Sequence, residues 1–217
     1  MNQQIAKTAN SGRAPNGKKI TRIQKEKTSQ ILDAALEVFS KFGYRGATLD
    51  QISDQAGLSK PNLLYYFSSK EALHKELLDQ LMVKWLEPLE EMSDQGDPIE
   101  EICDYMCRKL ELAQDFPRES RLFANEIIQG APRISTRLSG PLKDLVDEKA
   151  ALIARWSRAG KIARVDPYHL IFSIWSTTQH YADFDVQLGA VLDENYASRF
   201  EDAAKFLGTL FRNGLKP

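Results

Sequence analysis

The chain has 217 residues, 42% of them hydrophobic, and a formal net charge of −1. That is enough apolar content for one large core or two modest ones, and the near-neutral balance excludes a uniformly polycationic or polyanionic protein. The charge is unevenly placed: residues 1–70 hold 11 Lys/Arg against 5 Asp/Glu and residues 71–217 hold 18 against 25, so a basic first third suited to a polyanion precedes an acidic remainder.

Residues 1–20 are polar and dotted with Lys and Arg, and they are expected to form a flexible basic arm. Such an arm is either a solubilising tail or a segment that lies along phosphates or in a minor groove. It lacks the apolar centre of a secretory signal, and no run in the chain approaches the roughly 18 apolar residues of a membrane span. A soluble, cytoplasmic protein is therefore expected.

From Thr21 a helical period begins, with Ile31, Ala35, Val38 and Phe42 on one stripe and Gly43 as a stop. Thr48 with Gln51 makes a capping box that opens a short helix over about Leu49–Ala56, ending at Gly57. Ser59 caps a third helix that tolerates Pro61 in its first turn and is over by Phe67. Ser68 with Glu71 reads as another capping box, launching a fourth helix to about Pro88. Beyond it, Pro98, Pro117, Pro141 and Pro167 sit near helix starts, and Gly96, Gly130 and Gly160 mark breaks. Strand alternation and fixed repeats are absent. The reading is an all-α chain of about nine helices, the last two long ones over about Pro167–Leu188 and Tyr196–Leu215. Cys103 and Cys107 lack a His or further Cys to complete a ligand set, and read better as small core residues on one helix face.

Two short helices joined through Ala56–Gly57–Leu58–Ser59 match a helix-turn-helix, whose second helix enters the major groove. On that helix Asn62 can offer a paired donor and acceptor to adenine, and Lys60 can reach guanine O6/N7. Tyr65 and Tyr66 can bond phosphates through their hydroxyls, with one of them free to pack inward. Thr48, Ser59, Pro61 and the start of the fourth helix with Lys70 complete the expected DNA-binding set, the last as a phosphate clamp. An ordinary bundle with polar surface tyrosines is the competing reading.

The run "ILDAALEVFSKFGYRGATLDQISDQAGLSKPNLLYYFSSKEAL" resembles the DNA-binding domain of the TetR family of bacterial regulators, in helix lengths, turn glycines, the Tyr-Tyr-Phe end of the third helix and the Ser-Lys-Glu start of the fourth. The resemblance implies a DNA-binding domain over 21–68 and a helical ligand-binding and dimerisation domain over 69–217. It implies a homodimer on double-stranded operator DNA, with Phe200, Ala203, Ala204, Leu207, Leu210 and Phe211 as a candidate dimer stripe that could equally be core.

In the second domain, "HLIFSIWSTTQHYADFDVQ" is apolar enough to be buried, yet Trp175, Gln179 and Asp183 recur at i, i+4 and i+8 with His180 beside them. From periodicity alone, Gln179 either bonds neighbouring helices or faces a ligand on which Trp175 stacks. His180 and Asp183 are either a proton-linked pair or a structural one. This segment, with "SRLFANEI", "DLVDEKAALIARW" and "KWLEPL", is similar to a pyrimidine-responsive branch of the same family. That similarity implies a repressor released from DNA by uracil or thymine, with Trp175, Gln179, Trp85, Leu86 and Phe123 around the base. Another small aromatic or lipid-like effector is the alternative. With three histidines and no Ser-His-Asp, metal or phosphate-loop constellation, no enzyme and no cofactor are expected.

Overall fold

A computed structural model describes residues 22–217, so the expected arm over 1–20 lies outside the described residues. The elements run in the order α1 (Arg22–Gly46), α2 (Leu49–Gln55), α3 (Lys60–Tyr66), α4 (Lys70–Glu90), α5 (Pro98–Asp115), α6 (Pro117–Ile128), a single turn α7 (Ser135–Arg137), α8 (Lys143–Arg158), α9 (Pro167–Asp183), α10 (Asp185–Leu192) and α11 (Arg199–Leu215). A π-turn over Leu138–Leu142 leads into α8, and a 3-10 turn over Asp193–Tyr196 follows α10. The described residues are all-α, as expected, and the added elements are the α7 turn and the short α10. None of the described helices is long and apolar enough to cross a membrane.

Local chemistry explains most boundaries. Gly43 breaks α1 with φ 64°, so the apolar stripe of Ile31, Ala35 and Val38 is buried while Phe42, at the bend, stays 53% exposed. Gly57 closes α2 with φ 60°: its amide bonds the Asp54 carbonyl at 3.0 Å and the Leu58 amide bonds that of Ser53 at 2.9 Å, a Schellman ending. The Gln30 side chain donates to the Ala56 carbonyl at 2.7 Å and ties this turn to α1.

Two boundaries differ from expectation. The fourth helix is capped by Ser69, whose hydroxyl accepts from the Ala72 amide at 3.0 Å, so the Ser68–Glu71 box does not form. The helix expected to reach Leu188 ends at Asp183, where Phe184 leaves the helical region (φ −111°, ψ 29°) and the chain restarts as α10.

Two main apolar clusters result. One joins α1, α2, α3 and α4 to Leu122, Ala131 and Ile134 from α6 and the loop after it. The other packs α5, α8, α9 and α11 around Met106, Ile153, Trp156 and Ile171, with Cys103 buried in it and Cys107 against it. The expected dimer stripe is divided by this packing. Phe200, Ala203, Leu207 and Phe211 are buried, and Ala204 is partly buried against the packing around Phe200 and Ala203. Leu210 (49%) and its neighbour Phe206 (63%) face outward instead. The reason is that α11 lies along α5, so its apolar face is used inside the subunit.

A Cβ at Gly57 would meet nothing within 4 Å, so any substitution effect there is one of backbone conformation. Gly57→Ala is expected to lower stability by about 1 kcal/mol, read from the midpoint of urea unfolding, and an unchanged midpoint would contradict the left-handed turn.

Candidate functional site: a nucleic-acid interface and an interior effector site

The outer helix α3 is short and firmly seated. Ser59 accepts a hydrogen bond from the Asn62 amide at 3.4 Å, and Pro61 occupies the first turn, where its missing N–H has no helical partner. Leu63 is fully buried, with Tyr66 and Phe67 packed beside it. Lys60, Pro61, Asn62 and Tyr65 are left on the solvent side, Tyr65 at 76% exposure and edge-on to Tyr66 at 5.3 Å. Tyr66 is thus the tyrosine that packs inward. The helix is seven residues long, a length of about 10 Å at 1.5 Å per residue, against a major groove about 12 Å wide.

Thr48 is exposed at the N-cap of α2, where it accepts from the Gln51 amide at 3.2 Å while the Gln51 side chain accepts from the Thr48 amide at 2.8 Å. Lys60 pairs with Asp50 at 3.0 Å across the two helices, both side chains exposed. Such a pair contributes about 0–1 kcal/mol, so a phosphate or base edge can take the lysine at little loss.

Lys70 departs from its expected role. Its ammonium donates to the carbonyls of Tyr44 at 2.7 Å and Ala47 at 2.8 Å and stands 4.4 Å from the Tyr44 ring centroid. Burial first, then the Arg133 charge, lowers its pKa from the ordinary lysine value. It fastens the α1–α2 turn from inside, where a phosphate clamp would reach outward. The short sequence distance to Ser69 gave no hint that the α4 N-terminus faces the end of α1.

Behind this turn lies a buried polar cluster. Glu126 on α6, 2% exposed, accepts from the Arg133 amide at 2.8 Å and from its guanidinium at 2.9 Å, and that guanidinium lies 3.3 Å over the Tyr44 ring. His74 on α4 sits 4.0 Å from Glu126 and edge-on to Phe39 and Tyr44. Burial, then the charges of Arg133 and Lys70, lower the His74 pKa to about 4, so the imidazole is neutral at pH 7 and this contact is not an ion pair. On the outer side, Arg118 of α6 bonds Asp33 at 2.9 Å and Glu37 at 3.2 Å on α1. Thus α6 grips α1 at two points.

The second expected set is carried by α4, α6 and α9, with α5 packed against them. Trp85 is 6% exposed, faces Phe116 at 6.5 Å, and its Nε1 has no hydrogen-bond acceptor among the described residues. Leu86 and Phe123 are half-buried, Phe123 against the cluster that contains Trp85. On α9, the Trp175 indole donates to the Tyr105 hydroxyl at 2.6 Å. Gln179, one turn on, is half-buried, and its side chain makes no hydrogen bond to another described residue. Asp183 accepts from the Ser120 hydroxyl at 2.6 Å, and burial is the main cause of its raised pKa, opposed by Ser120 and Arg121. His180 does not form an ion pair with it; the imidazole stacks on Phe184 at 4.9 Å.

Sequence reasoning missed Lys109. It is 3% exposed on α5, with its ammonium 5.1 Å from the Trp85 ring centroid. Its signal was available: Ile102, Met106, Lys109 and Ala113 form an i, i+4, i+7, i+11 stripe in which a lysine replaces an apolar residue. Tyr105 and Ser120, which hold Trp175 and Asp183, carried no comparable signal. A surface cleft lined by Tyr181, Asn195, Arg199 and Phe206 contains none of the expected effector residues.

The comparisons agree with this geometry. Residues 31–77 match the family described as bacterial regulatory proteins, tetR family, and residues 78–217 match the YcdC-like protein, C-terminal region. The chain is 50% identical to the HTH-type transcriptional regulator RutR of Escherichia coli (strain K12) over 173 residues, 80% of this chain and 82% of that one. Among solved structures, a Streptomyces coelicolor transcriptional regulator superposes with a TM-score of 0.68 at 23% identity, covering 87% of this chain and 98% of its own. AibR in complex with isovaleryl coenzyme A and operator DNA gives a TM-score of 0.60 at 20% identity, covering 72% and 85%.

The neutral His74 makes stability pH-dependent. Its folded pKa lies below the unfolded value of 6.5, so its contribution is complete above pH 6.5 and is lost as pH falls towards about 4. The loss attributable to this residue by pH 4.5 is on the order of 2–3 kcal/mol. Denaturant titrations at pH 7 and 4.5 should show it as the part of the acid destabilisation that His74→Phe removes.

Proposed function

Because the chain belongs to the TetR family of bacterial regulatory proteins and is a helix-turn-helix transcriptional regulator, we propose that it is a homodimeric repressor whose hold on operator DNA is released by a pyrimidine base, uracil or thymine. The observation that carries the DNA half is α3: a seven-residue helix pinned by Leu63 that presents Lys60, Pro61, Asn62 and Tyr65 outward. One such helix spans only a few base pairs, so a two-fold pair on half-sites about one helical turn apart supplies the remaining specificity. Phe206 and Leu210, apolar and exposed on α11, are surfaces a second copy could cover.

The effector half rests on the polarity of the interior site. A lipid-like effector would leave the Gln179 side chain and the Lys109 ammonium against hydrocarbon, which is costly for unpaired polar groups. A flat ring with both N–H and C=O edges suits them: Trp175 and Trp85 offer faces, and the Gln179 amide offers one donor and one acceptor. No catalytic step is invoked.

Transmission runs through α4 and α6. Helix α4 carries Trp85 at the effector end and Lys70 at the α1–α2 turn. Helix α6 carries Ser120 beside Asp183 and Glu126 beside Arg133 and Tyr44. An effector that shifts either helix changes the spacing of the paired α3 helices. Coupling of roughly 1–3 kcal/mol, ordinary for such systems, would weaken operator binding about 5–150-fold.

Two variants separate the halves. Tyr65→Ala should weaken operator binding roughly 10- to 100-fold, the loss of a hydrogen bond to a charged phosphate, while calorimetry still detects uracil. Gln179→Ala should bind operator within about twofold of wild type yet ignore uracil. Loss of operator binding by a fully folded Gln179→Ala protein would refute the division of roles.

A further inference from the structure

Lys109 and Trp85 are each more than nine-tenths buried as residues; the Trp85 indole N–H is sealed with no acceptor, and the Lys109 ammonium makes no hydrogen bond or ion pair among the described residues. Buried donors are almost always satisfied, and an ammonium is the most demanding of them. The Lys109 ammonium stands 5.1 Å from the centre of the Trp85 ring, so the indole supplies a cation–π contact and still leaves the ammonium hydrogens free. Tyr105, one turn before Lys109 on α5, receives the Trp175 indole proton, and its own hydroxyl proton finds no acceptor among the described residues. Three donors from α4 and α5 thus lie together in the protein interior. Asp183, the acidic group whose charge acts on Lys109, is engaged by Ser120 and makes no ion pair with it.

From this arrangement we propose that Lys109, with the Trp85 indole N–H, is a specificity-determining pair that takes a ring oxygen of the effector and favours rings whose oxygen bears negative charge. The inference rests on the pyrimidine reading above and deepens it. Neutral uracil presents a carbonyl oxygen to the ammonium. A more acidic pyrimidinedione of the same outline, ionised at neutral pH, presents an oxygen sharing a full negative charge, and its hydrogen bond to an ammonium is the stronger one. At a site this buried, leaving the ammonium unpaired is unfavourable, and a ring anion neutralises it. Asp183, across the site on α9, suits the effector's N–H edge and sets which way round the ring lies.

Calorimetric titration of the protein with uracil and with barbiturate, an anionic pyrimidine ring that carries one further exocyclic oxygen, tests this. The wild type is expected to bind barbiturate at least tenfold more tightly than uracil at pH 6. Lys109→Met, which keeps the side-chain volume and removes the charge, should lose at least tenfold in uracil affinity and reverse the preference. Its far-UV spectrum checks folding. Should that variant unfold, Trp85→Phe, which replaces the indole by a phenyl ring and so removes the N–H, should weaken uracil binding about fivefold or more. Uracil affinity unchanged in folded Lys109→Met, or a wild type that prefers uracil to barbiturate, would overturn the role of Lys109 and leave the pyrimidine reading standing. A wild type that binds neither ring would overturn both.

Discussion

The contact on which the rest of the molecule depends is the stack of Arg133 on Tyr44, held from below by Glu126. Glu126 is nearly sealed from solvent, so its charge is tolerable only because Arg133 supplies two hydrogen bonds to it. Removing one partner of such a buried pair ordinarily costs about 3–5 kcal/mol, because the other is left charged and unpaired. The same guanidinium lies flat on the Tyr44 ring, and the carbonyl of that residue accepts from Lys70. One ion pair therefore fixes the end of α1, the start of α4 and the end of α6 together. The turn into α2 and α3 is built on that junction, so the reading helix inherits its position from a buried charge pair in the second half of the chain.

That junction makes α6 an equal of α4 in joining the two halves. Helix α4 alone could pivot about Ser69. With Arg118 bonded to Asp33 and Glu37, and Arg133 of the following loop on Tyr44, α6 and its loop hold α1 at its middle and at its C-terminal end. A displacement beginning at Ser120 or Trp85 then reaches α3 through two rigid helices. Packed helices repack between discrete arrangements more readily than they deform continuously, which is what a switch requires.

The interior site shows the opposite electrostatic economy. Around Glu126 the buried carboxylate and guanidinium are matched, whereas the Lys109 ammonium over Trp85 has no ion-pair partner and the partly buried Asp183 carboxylate is held by a serine hydroxyl alone. Burial lowers the Lys109 pKa to about 7 and raises that of Asp183, so each group is held away from its preferred charge state by its surroundings. Unmatched groups of this kind are unfavourable for stability, and they concentrate where a molecule receives a ligand.

Much of this was legible from residue order. The Thr48–Gln51 box, the Gly57 turn and the Ser59–Pro61 start are local devices, each complete within about four residues, and all of them formed; the stripe of α1 formed except at Phe42, which the Gly43 bend leaves exposed. The outward set Lys60, Pro61, Asn62 and Tyr65 followed from one helical turn of periodicity. Contacts between distant segments were not legible. The cap moved from Ser68 to Ser69, Lys70 turned inward to Tyr44, and α9 stopped at Phe184. Of the α11 stripe, most went to the core, leaving Leu210 outside. Lys109 broke an apolar stripe in plain view, yet nothing in the order of residues says that the indole of Trp85 waits opposite. Sequence determined where helices begin, end and turn, because those energies are set by neighbours along the chain. Tertiary structure decided which charges meet, because a buried charge is stabilised or stranded only by groups that packing brings from far away.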